Sequence, residues 1–193
     1  MGRRLHRGVV LVGMMGAGKT AVGRDLARQL GVGFTDSDAE IEAAANLTIA
    51  EIFARDGEPF FRQKEAQVIA RLLDGPPGVL SVGGGAFLAP QTRALIAARG
   101  VSVWLKVPLD LLWARVRRKT TRPLLRTPDP RGTLARMLAE REPVYALADV
   151  TVEARPGDAV EATAARVLEA LQAVPALLNG VPAGVRKGAG GHD

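Results

Sequence analysis

Eight residues, Gly13-Met14-Met15-Gly16-Ala17-Gly18-Lys19-Thr20, constrain this chain more than any other feature it carries. They have the spacing G-x-x-x-x-G-K-[ST], follow directly on the apolar run Gly8-Val9-Val10-Leu11-Val12, and lead into the amphipathic stretch Ala21 to Leu30, closed by Gly31. That order requires a buried strand, a tight turn and a helix, and it makes the turn a phosphate-binding loop. Gly16 and Gly18 can take backbone angles closed to residues with a side chain. Consecutive N–H groups then converge on an anion, with the positive end of the helix behind them. Lys19 adds a point charge toward the β- and γ-phosphates of a nucleoside triphosphate, and Thr20 offers a hydroxyl to Mg²⁺. A chance glycine-rich turn would have no reason to carry both flanks.

Beyond the loop, apolar β-type runs return at Val79 to Val82, Val101 to Leu105 and Val150 to Val152, with a shorter one at Gly33-Phe34-Thr35. Helical patterns lie between them, over Lys19 to Leu30, Asp38 to Ala45, Ile49 to Asp56, Glu58 to Leu73, Pro90 to Arg99, Leu109 to Arg118, Gly132 to Leu147 and Asp158 to Ala173. Thr48-Ile49-Ala50-Glu51 has capping-box spacing and marks a helix start. The alternation predicts an α/β fold, a five-stranded parallel sheet flanked by helices on both faces. At 193 residues, 47% of them hydrophobic, the chain suits one globular domain. We expect it over residues 8–174, after a basic N-terminal arm at 1–7 and before a Gly- and Pro-rich flexible tail at 175–193.

Composition narrows the partners. No apolar stretch approaches the ~18 residues that cross a bilayer, and the leading residues Met1 to Arg7 have no signal-type apolar region, so a cytoplasmic protein without membrane contact is expected. There is no cysteine, and the two histidines, His6 and His192, sit near the ends, which leaves oxygen-bound hard cations as the metals to consider. The net charge of +6 would suit nucleic acid. Arg3, Arg4 and Arg7, however, lie in the arm and another basic group clusters between Arg115 and Arg131, and no zinc finger or aromatic stacking motif accompanies them, a distribution that suits anionic small molecules at least as well. No nucleic-acid partner is expected.

A phosphate loop alone does not choose between kinase, GTPase and ATP-driven machine. Asp36-Ser37-Asp38 follows the short second strand, at the carboxyl edge where α/β sheets bind ligands. One carboxylate there could face Mg²⁺ while the other accepts from a substrate hydroxyl; the alternative is a helix cap made by Asp38, with Asp36 solvated. In Gly57-Glu58-Pro59-Phe60-Phe61-Arg62, the arginine lies three residues before Glu65 on one helix face, an arrangement that would present a guanidinium fork to a carboxylate or else form a surface ion pair. Gly83-Gly84-Gly85 leaves the third strand at the same edge, where backbone amides without neighbouring Cβ atoms can approach a small ligand, unless the run is a plain flexible exit. Lys119 to Arg131 holds three prolines among basic residues between two helices, as a lid over phosphates would or a solvated loop.

Together with Ile41-Glu42, Arg122-Pro123-Leu124-Leu125 and Arg141-Glu142-Pro143-Val144-Tyr145, these motifs resemble the shikimate kinase family in order and spacing, from about residue 8 to 172. The resemblance implies a P-loop NTPase of the nucleoside-monophosphate-kinase type, with a lid at about 119–131 and a small substrate-binding helical region. It implies transfer of the γ-phosphate of ATP to the 3-hydroxyl of shikimate, in the pathway to chorismate and the aromatic amino acids, by a monomer with Mg²⁺ as cofactor. By position, the loop from Gly13 through Ala21 would hold ATP, with Thr20 and Asp36 at the metal. Lys19, Asp38 and Arg122 would be catalytic, Asp38 acting on the substrate hydroxyls and Arg122 on the phosphates from the lid. Arg62 and Arg141 would clasp the shikimate carboxylate, with Gly83, Gly84 and Gly85 lining the pocket, Glu65 holding Arg62, and Phe53 and Phe61 forming an apolar wall. Arg115, Arg155 and Pro156 match the adenine contacts. A kinase of gluconate or another small polyol is the nearest alternative, sharing loop and fold without a need for the paired arginines. A nucleotide switch would carry a guanine-reading N-K-x-D motif, and the sequence has none.

Overall fold

A computed structural model of the chain describes residues 5–117 and 125–174. β1 (Gly8–Val12), β2 (Phe34–Asp36), β3 (Val79–Ser81), β4 (Gly100–Lys106) and β5 (Val150–Glu153) form one sheet in the order β2-β3-β1-β4-β5, and every pairing is parallel. The unbroken apolar composition of β1 suits the centre of a sheet covered on both faces, and Val9 to Val12 are each 0% exposed. Burial of each such side chain contributes about 1.5–3 kcal/mol. With β3 on one side of it and β4 on the other, β1 ends where the order of strands diverges, which opens a crevice at its carboxyl end.

The helices follow the predicted pattern, with shifts that have local causes. α1 (Lys19–Leu30) packs against α7 (Val160–Gln172), and α4 (Pro90–Arg99) packs against β4. α2 (Ser37–Ala45) starts one residue early because Asp36, not Asp38, caps it, accepting from the Asp38 N–H at 3.0 Å and the Ala39 N–H at 3.4 Å. The two helices expected on either side of Gly57 form one element, α3 (Ile49–Leu73), broken in backbone at Gly57, whose φ of 83° and ψ of 168° lie outside helical space. The Thr48–Glu51 capping box is formed at its start. Pro59, two residues past the break, falls in a first turn where a missing N–H is tolerated.

Ile41, Ile52 and Phe61 of α2 and α3 make a core of their own, apart from the main one beneath the sheet. α5 (Leu109–Val116) ends earlier than the pattern suggested, and α6 (Pro130–Tyr145) begins two residues before the expected Gly132, capped by Asp129. Pro130 and Arg131, expected at the end of the lid, therefore belong to α6, and the expected lid residues 119–124, Arg122 among them, lie outside the described residues. A 3₁₀ turn, Ala86–Leu88, follows the triple glycine and was not foreseen. Part of the expected N-terminal arm is docked: Leu5 is 7% exposed within the main core, and Arg7 donates to the Ala97 carbonyl at 2.5 Å.

Candidate active site

The crevice beyond β1 holds a cleft of about 580 Å³ whose floor is the phosphate loop. Gly13, Gly16 and Gly18 have φ of 136°, 79° and 90°, so this loop shape is closed to residues bearing a Cβ. Gly18 leads into α1 with no side-chain cap and no acid in the first turn, which leaves the helix N-terminus suited to an anion. Lys19 Nζ donates to the Gly13 and Met14 carbonyls at 2.8 and 3.0 Å, holding the ammonium at the mouth of the loop. Met15 through Ala21 line the cleft, whereas Met14 turns its side chain into the core. Arg115, from α5, bonds the Gly16 and Ala17 carbonyls at 3.2 Å and forms one wall.

The Asp36-Ser37-Asp38 turn brings two carboxylates to this floor by different routes. While Asp36 Oδ1 caps α2, Oδ2 accepts from Thr20 Oγ1 at 2.7 Å, so a hydroxyl and a carboxylate oxygen stand side by side at the start of α1. Such hard oxygens fit Mg²⁺, which needs few protein ligands when phosphates and water supply the rest. Asp38, in the first turn of α2, keeps Oδ1 shielded from solvent with no hydrogen-bond partner among the described residues. Burial pushes its carboxyl above the usual aspartate range; Asp36 pushes the same way, and Lys19 and Arg62 pull back.

The triple glycine is where the second ligand group assembles. A Cβ on Gly83 would stand 2.8 Å from Glu65 Oε1 and 2.9 Å from Asp38 Oδ1, so its absence makes room for two carboxyls. A Cβ on Gly85 would overlap the Arg62 guanidinium, and one on Gly84 would lie 3.7 Å from an Arg141 nitrogen. Arg62 donates to Glu65 Oε2 at 2.7 Å and rests over the Phe61 ring at 5.2 Å. Glu65, 2% exposed, is pushed up by burial, and the Arg62 charge works against that. Phe61 pairs with Phe53 at 4.7 Å and is 3% exposed in the α2–α3 core, its ring beneath the Arg62 guanidinium.

Ala154, Asp158, Val160 and Thr163 also line the cleft, and Arg155 and Pro156 are exposed beside it. Asp158 Oδ2 fixes this turn by accepting from the Arg155 N–H at 2.8 Å and from Arg166. Nothing in the sequence marked Asp158 or Thr163, whose place depends on α7 packing beside α1 across the intervening fold.

A family model described as "Shikimate kinase" matches residues 15–172. The chain belongs to the shikimate kinase family. A shikimate kinase of Cereibacter sphaeroides is 66% identical over 91% of this chain and 87% of that protein. One from Ruegeria pomeroyi is 61% identical over 86% of both. Among solved structures, shikimate kinase from Acinetobacter baumannii in complex with shikimate superposes with a TM-score of 0.83 at 39% identity, covering 87% of this chain and 94% of that one. A gluconokinase from Sinorhizobium meliloti reaches a TM-score of 0.55 at 20% identity, which is a likeness of fold alone. Family membership makes the chain an ATP-dependent small-molecule kinase with a P-loop fold.

Proposed function

We propose that this kinase transfers the γ-phosphoryl group of ATP to the 3-hydroxyl of shikimate, with the acceptor held between Arg62 and Arg141. The observation that carries the assignment is the pair of arginines at the triple glycine, Arg62 over Gly85 and Arg141 beside Gly84, with Asp38 one residue away at Gly83. Two guanidinium forks suit a planar carboxylate, and an unpaired carboxylate oxygen suits a hydroxyl that must lose its proton. Shikimate offers both groups on one ring. Gluconate also offers both, on a flexible chain, and is the competitor to test.

Phosphoryl transfer asks the protein for position and charge more than for covalent chemistry. The loop N–H groups and Lys19 hold the phosphates, and Asp38 orients the acceptor hydroxyl and takes its proton as the bond to phosphorus forms. Thr20 and Asp36 would hold Mg²⁺, which would supply positive charge to offset the negative charge of the phosphates. Arg115 would lie along the nucleotide. Arg122 would add a positive charge from the lid, an assignment that rests on its place in the sequence. A cytoplasmic monomer is part of the same proposal, and among the described residues no helix is long and apolar enough to cross a membrane.

A coupled assay of ADP release with shikimate, gluconate and nucleoside monophosphates tests the reading. It should give turnover with shikimate at least about a hundredfold above the others in kcat/KM, since a site built for specific polar groups rejects analogues that leave them unpaired. Equal use of gluconate would overturn it.

A further inference from the structure

Tyr145 is the last residue of α6, and its side chain is 0% exposed. A buried phenol at a helix end could be packing alone, and its ring does pack on Trp104, with centroids 6.0 Å apart. Its hydroxyl, however, touches two parts of the site. It donates to the Gly84 carbonyl at 2.5 Å and lies 3.8 Å from the sulfur of Met14 in the phosphate loop. Arg141, one turn earlier on the same helix, faces the phenol and works against the rise in pKa that burial causes.

The chemistry of these groups admits few substitutes. A guanidinium only donates hydrogen bonds and a carbonyl only accepts them, so a group standing between the two must accept on one side and donate on the other. A phenol does both and a phenyl ring does neither. Holding the Gly84 carbonyl also sets the peptide plane between Gly84 and Gly85, because a trans peptide points its C=O and its N–H in opposite directions. The Gly85 N–H is thereby aimed away from Tyr145, on the glycine whose missing Cβ leaves room for the Arg62 guanidinium.

We propose that Tyr145 is a positioning residue for phosphoryl transfer. Its hydroxyl fixes the Gly84–Gly85 peptide and the Arg141 guanidinium in one arrangement above the phosphate loop, so that the acceptor's carboxylate meets a preformed clamp. Tyr145 touches neither substrate. The inference rests on the assignment of Gly84 and Arg141 to the acceptor.

The test compares Tyr145→Phe with Arg141→Lys and Trp104→Phe, each in the full chain, by steady-state kinetics in both substrates and by thermal melting. Tyr145→Phe keeps the ring and removes only the hydroxyl, so it is expected to fold. It should raise the shikimate KM about tenfold, the scale of one lost charge-linked hydrogen bond, while the ATP KM changes less than about twofold. Trp104→Phe loosens the packing of the same ring without touching the hydroxyl and should lower the melting temperature with the shikimate KM within about twofold. Tyr145→Phe in the Arg141→Lys background should add little to the shikimate KM, since both changes disturb one arrangement. A lowered melting temperature with an unchanged shikimate KM in Tyr145→Phe would overturn the proposal and leave Tyr145 a packing residue. An unchanged shikimate KM in Arg141→Lys would instead overturn the assignment of the acceptor clamp on which the proposal rests.

Discussion

The Oδ1 atom of Asp38 is shielded and lacks a partner among the described residues, and leaving a buried polar atom unsatisfied costs about 1–3 kcal/mol. Burial raises the Asp38 pKa in the folded protein above its unfolded value, so the native state binds the proton more readily, and stability falls as pH climbs through the interval between the two values. Above that interval the whole cost is present. Asp38→Asn should therefore melt higher than the wild type near pH 8, by on the order of 2–4 °C for each kcal/mol relieved. The gain should vanish in acid, where Asp38 is protonated in both states. The same variant should lose about 10²-fold or more in kcat with shikimate, the range of general-base contributions. Melting curves at pH 8 and at a pH well below the ordinary aspartate value of 3.8, with one coupled assay, check both halves; a melting temperature equal to the wild type at pH 8 would show that the carboxylate is not strained by burial. Arg62, bonded to Glu65 at 2.7 Å, meets the opposite demand of holding a fixed charge at a fixed angle. Arg62→Lys replaces its planar fork with a point charge and should weaken kcat/KM for shikimate by about 2 kcal/mol with little change in the ATP KM. Equal losses for both substrates would move Arg62 out of the acceptor site.

α3 carries Arg62 and Glu65, and Gly57 sets the direction of its second half. At φ 83° and ψ 168° that residue sits in a region open almost only to glycine, where another residue costs about 1–3 kcal/mol. Gly57→Ala should lower the melting temperature and, because the bend orients the segment bearing Arg62, raise the shikimate KM while the ATP KM holds. A melting temperature within a degree of the wild type would show that the bend is not strained. The break was legible in the sequence, since Gly57-Glu58-Pro59 interrupts a helical pattern. So were the phosphate loop and the placement of Asp36 and Gly83–Gly85 at one edge, because each follows a strand and strand direction alone carries them to the same rim; Arg62, on a helix that follows another helix, reaches that rim only through packing. Which aspartate caps α2 was not legible. Both Asp36 and Asp38 have the right chemistry, and Asp36 is held at the cap by Thr20, sixteen positions away, which donates its hydroxyl to Asp36 Oδ2. Tyr145 stood in a recognised motif without a role, for its partner Gly84 lies 61 positions earlier and only packing of α6 against the 3₁₀ turn reveals the pairing.

At the scale of the molecule, the two halves of the site are built from different parts of the fold. The phosphate loop hangs from β1 in the main core, whereas Arg62 and Glu65 belong to α3, whose start shares a smaller core with α2. They meet at Asp38 and the triple glycine. Each ligand should stabilise the folded chain by mass action, by about 2.7 kcal/mol at a hundred times its Kd, which in a domain of this size raises the melting temperature by roughly 5–10 °C. Because the anchoring residues are distinct, these shifts should separate by mutation. Lys19→Ala should abolish most of the shift given by ATP with Mg²⁺ and leave that given by shikimate, and Arg62→Lys should do the reverse. Lys19 donates to two carbonyls of its own loop, so the unliganded Lys19→Ala protein should also melt slightly lower, by the about 1 kcal/mol that such bonds contribute. Melting curves of three proteins with each ligand alone are sufficient. If Lys19→Ala erased both shifts equally while remaining folded, the loop and the acceptor region would form one inseparable site, and the division between the two cores would have no counterpart in binding.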